Sequence, residues 1–93
     1  MSACASPSPG APTLALTLVG SGEPLLRMEK RLHCAAAGAG LRLELEIRKD
    51  AEALGIPYAQ TPAVLLNGQV MLRGLRRTEE IETWLHTTFT HEN

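Results

Sequence analysis

Hydrophobic and polar positions change period several times along the chain, and each change marks an element. Thr13 to Val19 alternates leucines with smaller residues and carries no charge on either face, which predicts a central strand. Gly20-Ser21-Gly22 breaks it. Leu25, Met28, Leu32, Ala35 and Ala36 then recur at helical spacing, with Pro24 suited to a first turn, where its missing N–H costs nothing. Arg27, Lys30 and Arg31 lie mostly off that stripe, and Gly38 and Gly40 predict the stop. Leu41 to Arg48 alternates strictly: Leu41, Leu43, Leu45 and Ile47 share one face, Arg42, Glu44, Glu46 and Arg48 the other. That pattern predicts a half-exposed strand near a sheet edge.

The second half is punctuated by turn chemistry. Asp50 is placed to cap a short helix, Ala51 to Leu54, closed by Gly55. After Tyr58 to Pro62 comes the apolar run Ala63-Val64-Leu65-Leu66, a second uncharged strand. Asn67-Gly68 predicts a tight hairpin into Gln69–Arg73, because both positions tolerate positive φ. Gly74 ends that strand. Thr78 is the expected cap of a last helix, with Glu79 and Glu80 in its first turn and Ile81, Trp84, Leu85 and Phe89 as its buried stripe.

The order is β-α-β-(α)-β-β-α. A strand–helix–strand unit joins its strands in parallel with a right-handed crossover, and the hairpin strands are antiparallel. With the two uncharged strands in the middle, the expected four-stranded mixed sheet has the order 2-1-3-4 and is flanked by helices. The expected organisation is a disordered tail over 1–12, one domain over 13–89, and a short tail over 90–93. No internal repeat or second domain is visible in 93 residues.

Composition narrows the function classes. The chain is 44% hydrophobic and 20% charged, with a formal net charge of -1. That balance gives no electrostatic case for nucleic acid or an anionic membrane. No apolar run approaches the roughly 18 residues of a membrane-spanning helix. Met1 to Pro12 lacks the basic and apolar regions of a secretory signal, so the expected compartment is the cytoplasm. Thiols stay reduced there, and no structural disulfide between Cys4 and Cys34 is expected. His33, His86 and His91 show no metal-ligand spacing with the cysteines, and no cofactor is expected.

Three local patterns in this order resemble the small redox-active disulfide proteins of the thioredoxin-like group, with glutaredoxin-like domains next. Leu18-Val19-Gly20-Ser21-Gly22 matches the approach to the Gly-Ser-Gly-Cys-x-x-Cys motif. Thr61-Pro62-Ala63-Val64-Leu65-Leu66-Asn67-Gly68 matches Thr-Pro-Ala-x-x-x-Asn-Gly. Gly74 and Glu79-Glu80-Ile81-Glu82-Thr83-Trp84-Leu85 match the closing loop and helix. The resemblance covers about Thr13 to Phe89 and implies a minimal thioredoxin-like fold. It also implies a cis Thr61–Pro62 bond packed beside the start of the first helix, with Thr61 offering its backbone to an extended peptide or thiol ligand. The implied groove comprises Gly22, Glu23, Pro24, Thr61, Pro62 and Gly74.

The motif itself is absent. Glu23 and Leu26 stand at the two cysteine positions, with Pro24 and Leu25 between them. Dithiol exchange needs a thiolate to attack and a second thiol to resolve the mixed disulfide, and neither residue does either. The expectation is therefore a degenerate domain without dithiol activity, a binding or adaptor module for a peptide, protein or glutathione-like ligand. Glu23 also has a purely structural reading, since an acid at a helix N-terminus stabilises it by about 0.3–1 kcal/mol without any ligand. The alternative is a glutathione-linked monothiol enzyme using Cys34, which falls about half a helical turn from the apolar stripe with only His33 nearby to activate it. Arg73, Arg76 and Arg77 flank Gly74 and read either as a solvated loop or, by the resemblance, as a basic loop able to hold a carboxylate. The sequence leaves the oligomeric state open.

Overall fold

The computed structural model describes residues 10–89. Strand β1 (Thr13–Val19) leads into helix α1 (Gly22–Gly38), then strand β2 (Arg42–Arg48). Two 3-10 turns, Ala51–Leu54 and Tyr58–Gln60, precede strand β3 (Ala63–Leu66), strand β4 (Gln69–Arg73) and helix α2 (Thr78–Phe89). The sheet order is β2-β1-β3-β4. β1 runs parallel to β2 from Thr13↔Arg42 to Val19↔Arg48, and antiparallel to β3, with Val19 opposite Ala63. The two strands without charge thus hold the centre, as their composition predicts.

The sequence pattern meets the structure closely at the turns. Asn67 and Gly68 have φ of 54° and 81°, the pair of positive values a two-residue hairpin turn of this hand needs. Helix α1 closes with Leu41 N–H donating to Ala36 O at 2.8 Å and Gly40 N–H to Ala37 O at 3.1 Å, a Schellman arrangement that satisfies the last carbonyls. Gly40 is therefore the stop, and Gly38 is the last helical residue.

Both long helices pack on one face of the sheet. Leu14, Leu16 and Leu18 of β1 meet Leu25, Met28, Leu32, Ala35 and Ala36 of α1, Ile81 and Leu85 of α2, and Val64 of β3. Burial along β2 falls from 6% exposure at Leu41, just before the strand, to 36% at Ile47, as an edge strand leaving the shelter of the helices should show. Among the described residues the opposite face is covered at one end, where Val19, Ala63 and Leu65 lie under Ile56, with Ala51 and Leu54 packed beside them. Thr13 and Ala15 stay exposed. The helices thus flank one face, and the middle helix of the expected order is reduced to 3-10 turns.

Several local expectations are corrected. Asp50 makes no capping hydrogen bond to the Ala51–Leu54 turn; its carboxylate is drawn instead to Arg48, with Nη2–Oδ2 at 2.6 Å and Nε–Oδ1 at 3.1 Å. Thr78 is the first helical residue of α2, not its cap. Arg77 O accepts the first helical bond, from Ile81 N–H, while Glu80 Oε1 accepts from Arg77 N–H at 3.1 Å. This is the reciprocal half of a capping box, available to any residue type at the cap because it uses only that residue's backbone. Trp84 is half-buried, packed at the margin of the core and edge-on to Phe89 with centroids 5.9 Å apart, while Ile81 and Leu85 are fully buried. Just before β1, the Pro12 carbonyl accepts from Arg42 N–H at 2.8 Å. The tail expectations for 1–9 and 90–93 lie outside the described residues.

Candidate functional site

The antiparallel pairing of β1 with β3 brings the loop after β1 and the loop before β3 to the same end of the sheet. There the Thr61–Pro62 peptide bond is cis and Pro62 is buried. A Cβ on Gly20 would stand 3.3 Å from Pro62 Cα and 3.6 Å from Leu25 Cδ1, so Gly20, Pro62 and the first turn of α1 are in close register. Gly20 N–H also donates to Arg48 O at 3.0 Å, tying this corner to the end of β2. Gly74 closes the other side, its N–H shared between Pro62 O at 2.9 Å and Gln60 O at 3.1 Å. Three chain segments thus converge on Pro62: the start of α1, the 3-10 turn before β3, and the loop between β4 and α2.

The groove residues do not all present themselves in the same way. Gly22, Glu23 and Pro24 are exposed at the start of α1. Glu23 is paired with Arg27 one turn on, Nη2–Oε2 at 3.1 Å, in an exposed geometry worth a few tenths of a kcal/mol, roughly 0.3–0.5. Thr61 is folded back onto the preceding turn: its N–H and its Oγ1 both donate to Tyr58 O, at 3.0 and 2.6 Å. One of the two backbone groups that the resemblance assigns to ligand pairing is therefore spent internally. Leu26, which stands at a cysteine position in the resembled pattern, is 59% exposed. Tyr58 and Leu75 are also exposed large hydrophobics, on the other two converging segments.

Cys34 is half-buried on α1 and disulfide-bonded, so both the expectation of reduced thiols and that of a free Cys34 thiol give way. The compartment argument concerns the redox environment; bond formation depends on whether two sulfurs are brought together, which composition does not report. The partner half of the bond lies outside the described residues, as do the expectations for Cys4 and His91. His33 is exposed, and His86 lies 3.8 Å from Glu82 Oε2.

The residues that sequence reasoning missed are Gln60 and Arg31. Gln60 gives its backbone carbonyl to Gly74 and its side-chain carbonyl to Arg73 Nε, at 3.1 Å. Arg31 reaches from α1 to Arg76 O at 2.9 Å. Periodicity carries no signal for a contact 45 positions apart in sequence. Two surface depressions are present, and Pro62 lines neither. One, of about 440 Å³, sits on the open sheet face between Ala15, Thr17, Glu44, Glu46 and Asn67. The other, of about 380 Å³, lies beside Ile56 and Tyr58. No helix of the described residues is long and apolar enough to cross a membrane.

Comparison with known proteins adds no relative. No family model matches the chain, and neither a curated protein nor a solved structure matches it.

Proposed function

We propose that the chain is a thioredoxin-like domain without dithiol exchange, which keeps the corner around Pro62 as a binding groove for an extended protein segment. The observation that carries this reading is the close approach of Pro62 to Gly20, just before α1, with Glu23 and Leu26 in place of an attacking and a resolving thiol. A fold alone assigns no activity, so the reading rests on this corner. Leu26, Tyr58 and Leu75, one on each of the three segments that meet at Pro62, are exposed large hydrophobics. The monothiol alternative has no observation in its favour, since the Cys34 sulfur is engaged in a disulfide. Amide chemical-shift mapping with a panel of unstructured peptides tests the groove. Shifts should concentrate at Gly22, Glu23, Thr61, Ala63 and Gly74. Shifts confined to the open sheet face around Ala15 and Glu44 would refute it.

A further inference from the structure

The arginines at this corner are held in place and, among the described residues, have no carboxylate counterion. Arg73 Nε donates to Gln60 Oε1 at 3.1 Å, Arg76 Nε to Arg73 O at 3.1 Å, and Arg31 Nη1 to Arg76 O at 2.9 Å. Each guanidinium has five N–H donors and uses one of them in these bonds, so most of each planar fork stays available. Arg77 follows directly, its backbone N–H bonded to Glu80. Arg73, Arg76 and Arg77 are exposed and Arg31 is half-buried. Elsewhere Arg27 pairs with Glu23 and Arg48 with Asp50, and Arg42 on β2 has no ion pair among the described residues. Among the described residues no carboxylate forms an ion pair with Arg31, Arg73, Arg76 or Arg77. The neutral acceptors that hold them fix their direction without neutralising them, which lowers the ordering cost of binding an anion.

We propose that this cluster makes the partner of the Pro62 groove an acidic protein segment, whose Asp and Glu side chains meet Arg31, Arg73 and Arg76 while its backbone crosses beside Pro62. The inference rests on the groove reading above. Gln60 links the two features, since its backbone and its side chain serve Gly74 and Arg73 respectively. Neither of the two depressions described above is lined by these arginines. Several linked guanidinium forks suit an extended segment, which accumulates charge-assisted contacts along its length. Nucleic acid fits less well: the formal net charge is -1, and Glu79 and Glu80 stand at the start of α2 beside Arg77, where a continuous phosphate backbone would meet them.

The test is fluorescence anisotropy on the full chain with a labelled, end-blocked oligo-Glu peptide, its oligo-Gln counterpart, and a single-stranded oligonucleotide. Amide and arginine Hε shifts are recorded on the same samples. Oligo-Glu should bind, weakening with salt, and oligo-Gln should bind at least about tenfold more weakly, since a charge-assisted hydrogen bond is worth about a factor of ten or more. The Arg31→Gln/Arg73→Gln/Arg76→Gln variant should lose about tenfold or more in affinity for oligo-Glu at an unchanged circular dichroism spectrum. Lys at the same positions should restore part of it; this comparison stands in if the Gln variant fails to fold. Equal affinity for the two peptides, equal or tighter binding of the oligonucleotide, displacement of oligo-Glu by citrate at matched charge, or an affinity insensitive to both variants would overturn the proposal. Equal shifts at Thr61 and Ala63 from both peptides would leave the groove standing and remove the arginine selectivity. Shifts at the arginine Hε alone, with Thr61 and Ala63 still, would remove the groove reading as well.

Discussion

Gly20 and Pro62 meet so closely that a Cβ added at Gly20 would stand 3.3 Å from Pro62 Cα and 3.4 Å from Pro62 Cβ. The first of these atoms is backbone, held by β3 and by the Gly74 N–H bond to Pro62 O, so it yields little. Gly20→Ala should therefore destabilise the chain by about 1–3 kcal/mol, the usual cost of an extra methyl forced into a packed site. The urea midpoint measures this. A midpoint equal to that of the parent would mean that the corner is loose, and a groove built on it would lose its rigid floor.

The core prediction follows from burial. Leu85 is fully buried, while Trp84 lies half-buried at the margin against Phe89. Leu85→Ala should cost about 2–5 kcal/mol. Trp84→Ala should cost less than Leu85→Ala despite removing the larger side chain, because part of the indole surface is already wet. Chemical denaturation of the two variants, followed by circular dichroism, gives the order; a costlier Trp84→Ala would place the indole deeper than the structure does.

The ion pair at the end of β2 gives an acid-side prediction. The hydrogen bonds from Arg48 are the leading cause that holds the Asp50 carboxyl below its ordinary value of 3.8. A depressed carboxylate pKa contributes stability above the unfolded value, and that contribution is lost as pH falls through the folded one. Asp50→Asn should thus lower the urea midpoint at neutral pH and have progressively less effect as pH drops below the ordinary aspartate range. Because the pair is exposed, molar salt should shrink the neutral-pH difference too. A difference that persists unchanged in acid would assign the loss to geometry and not to charge.

Much of the scaffold was legible in the residues themselves. Uncharged β1 and β3 had to be central, the alternation of Leu41 to Arg48 marked an edge, and Asn67-Gly68 fixed the hairpin, each by a local rule acting over a few positions. The corner around Pro62 followed from strand order. What stayed hidden depends on long-range meetings. The disulfide at Cys34, the reach of Arg31 to Arg76 O, and the double use of Gln60 arise only once the chain has closed. The cap at Arg77 was missed because its backbone, and not its side chain, makes the bond.

The function proposed for this corner is that of a thioredoxin-like groove in which Glu23 and Leu26 stand at the two thiol positions. Glu23 and Leu26 are exposed, three positions apart in the first turns of α1, where a helix N-terminus favours a thiolate. Insulin reduction by dithiothreitol, run on the parent chain and on the Glu23→Cys/Leu26→Cys variant, tests it most directly. The parent should run at the uncatalysed rate and the variant clearly faster. Turnover by the parent, or a folded variant that forms the new disulfide and remains inert, would contradict it.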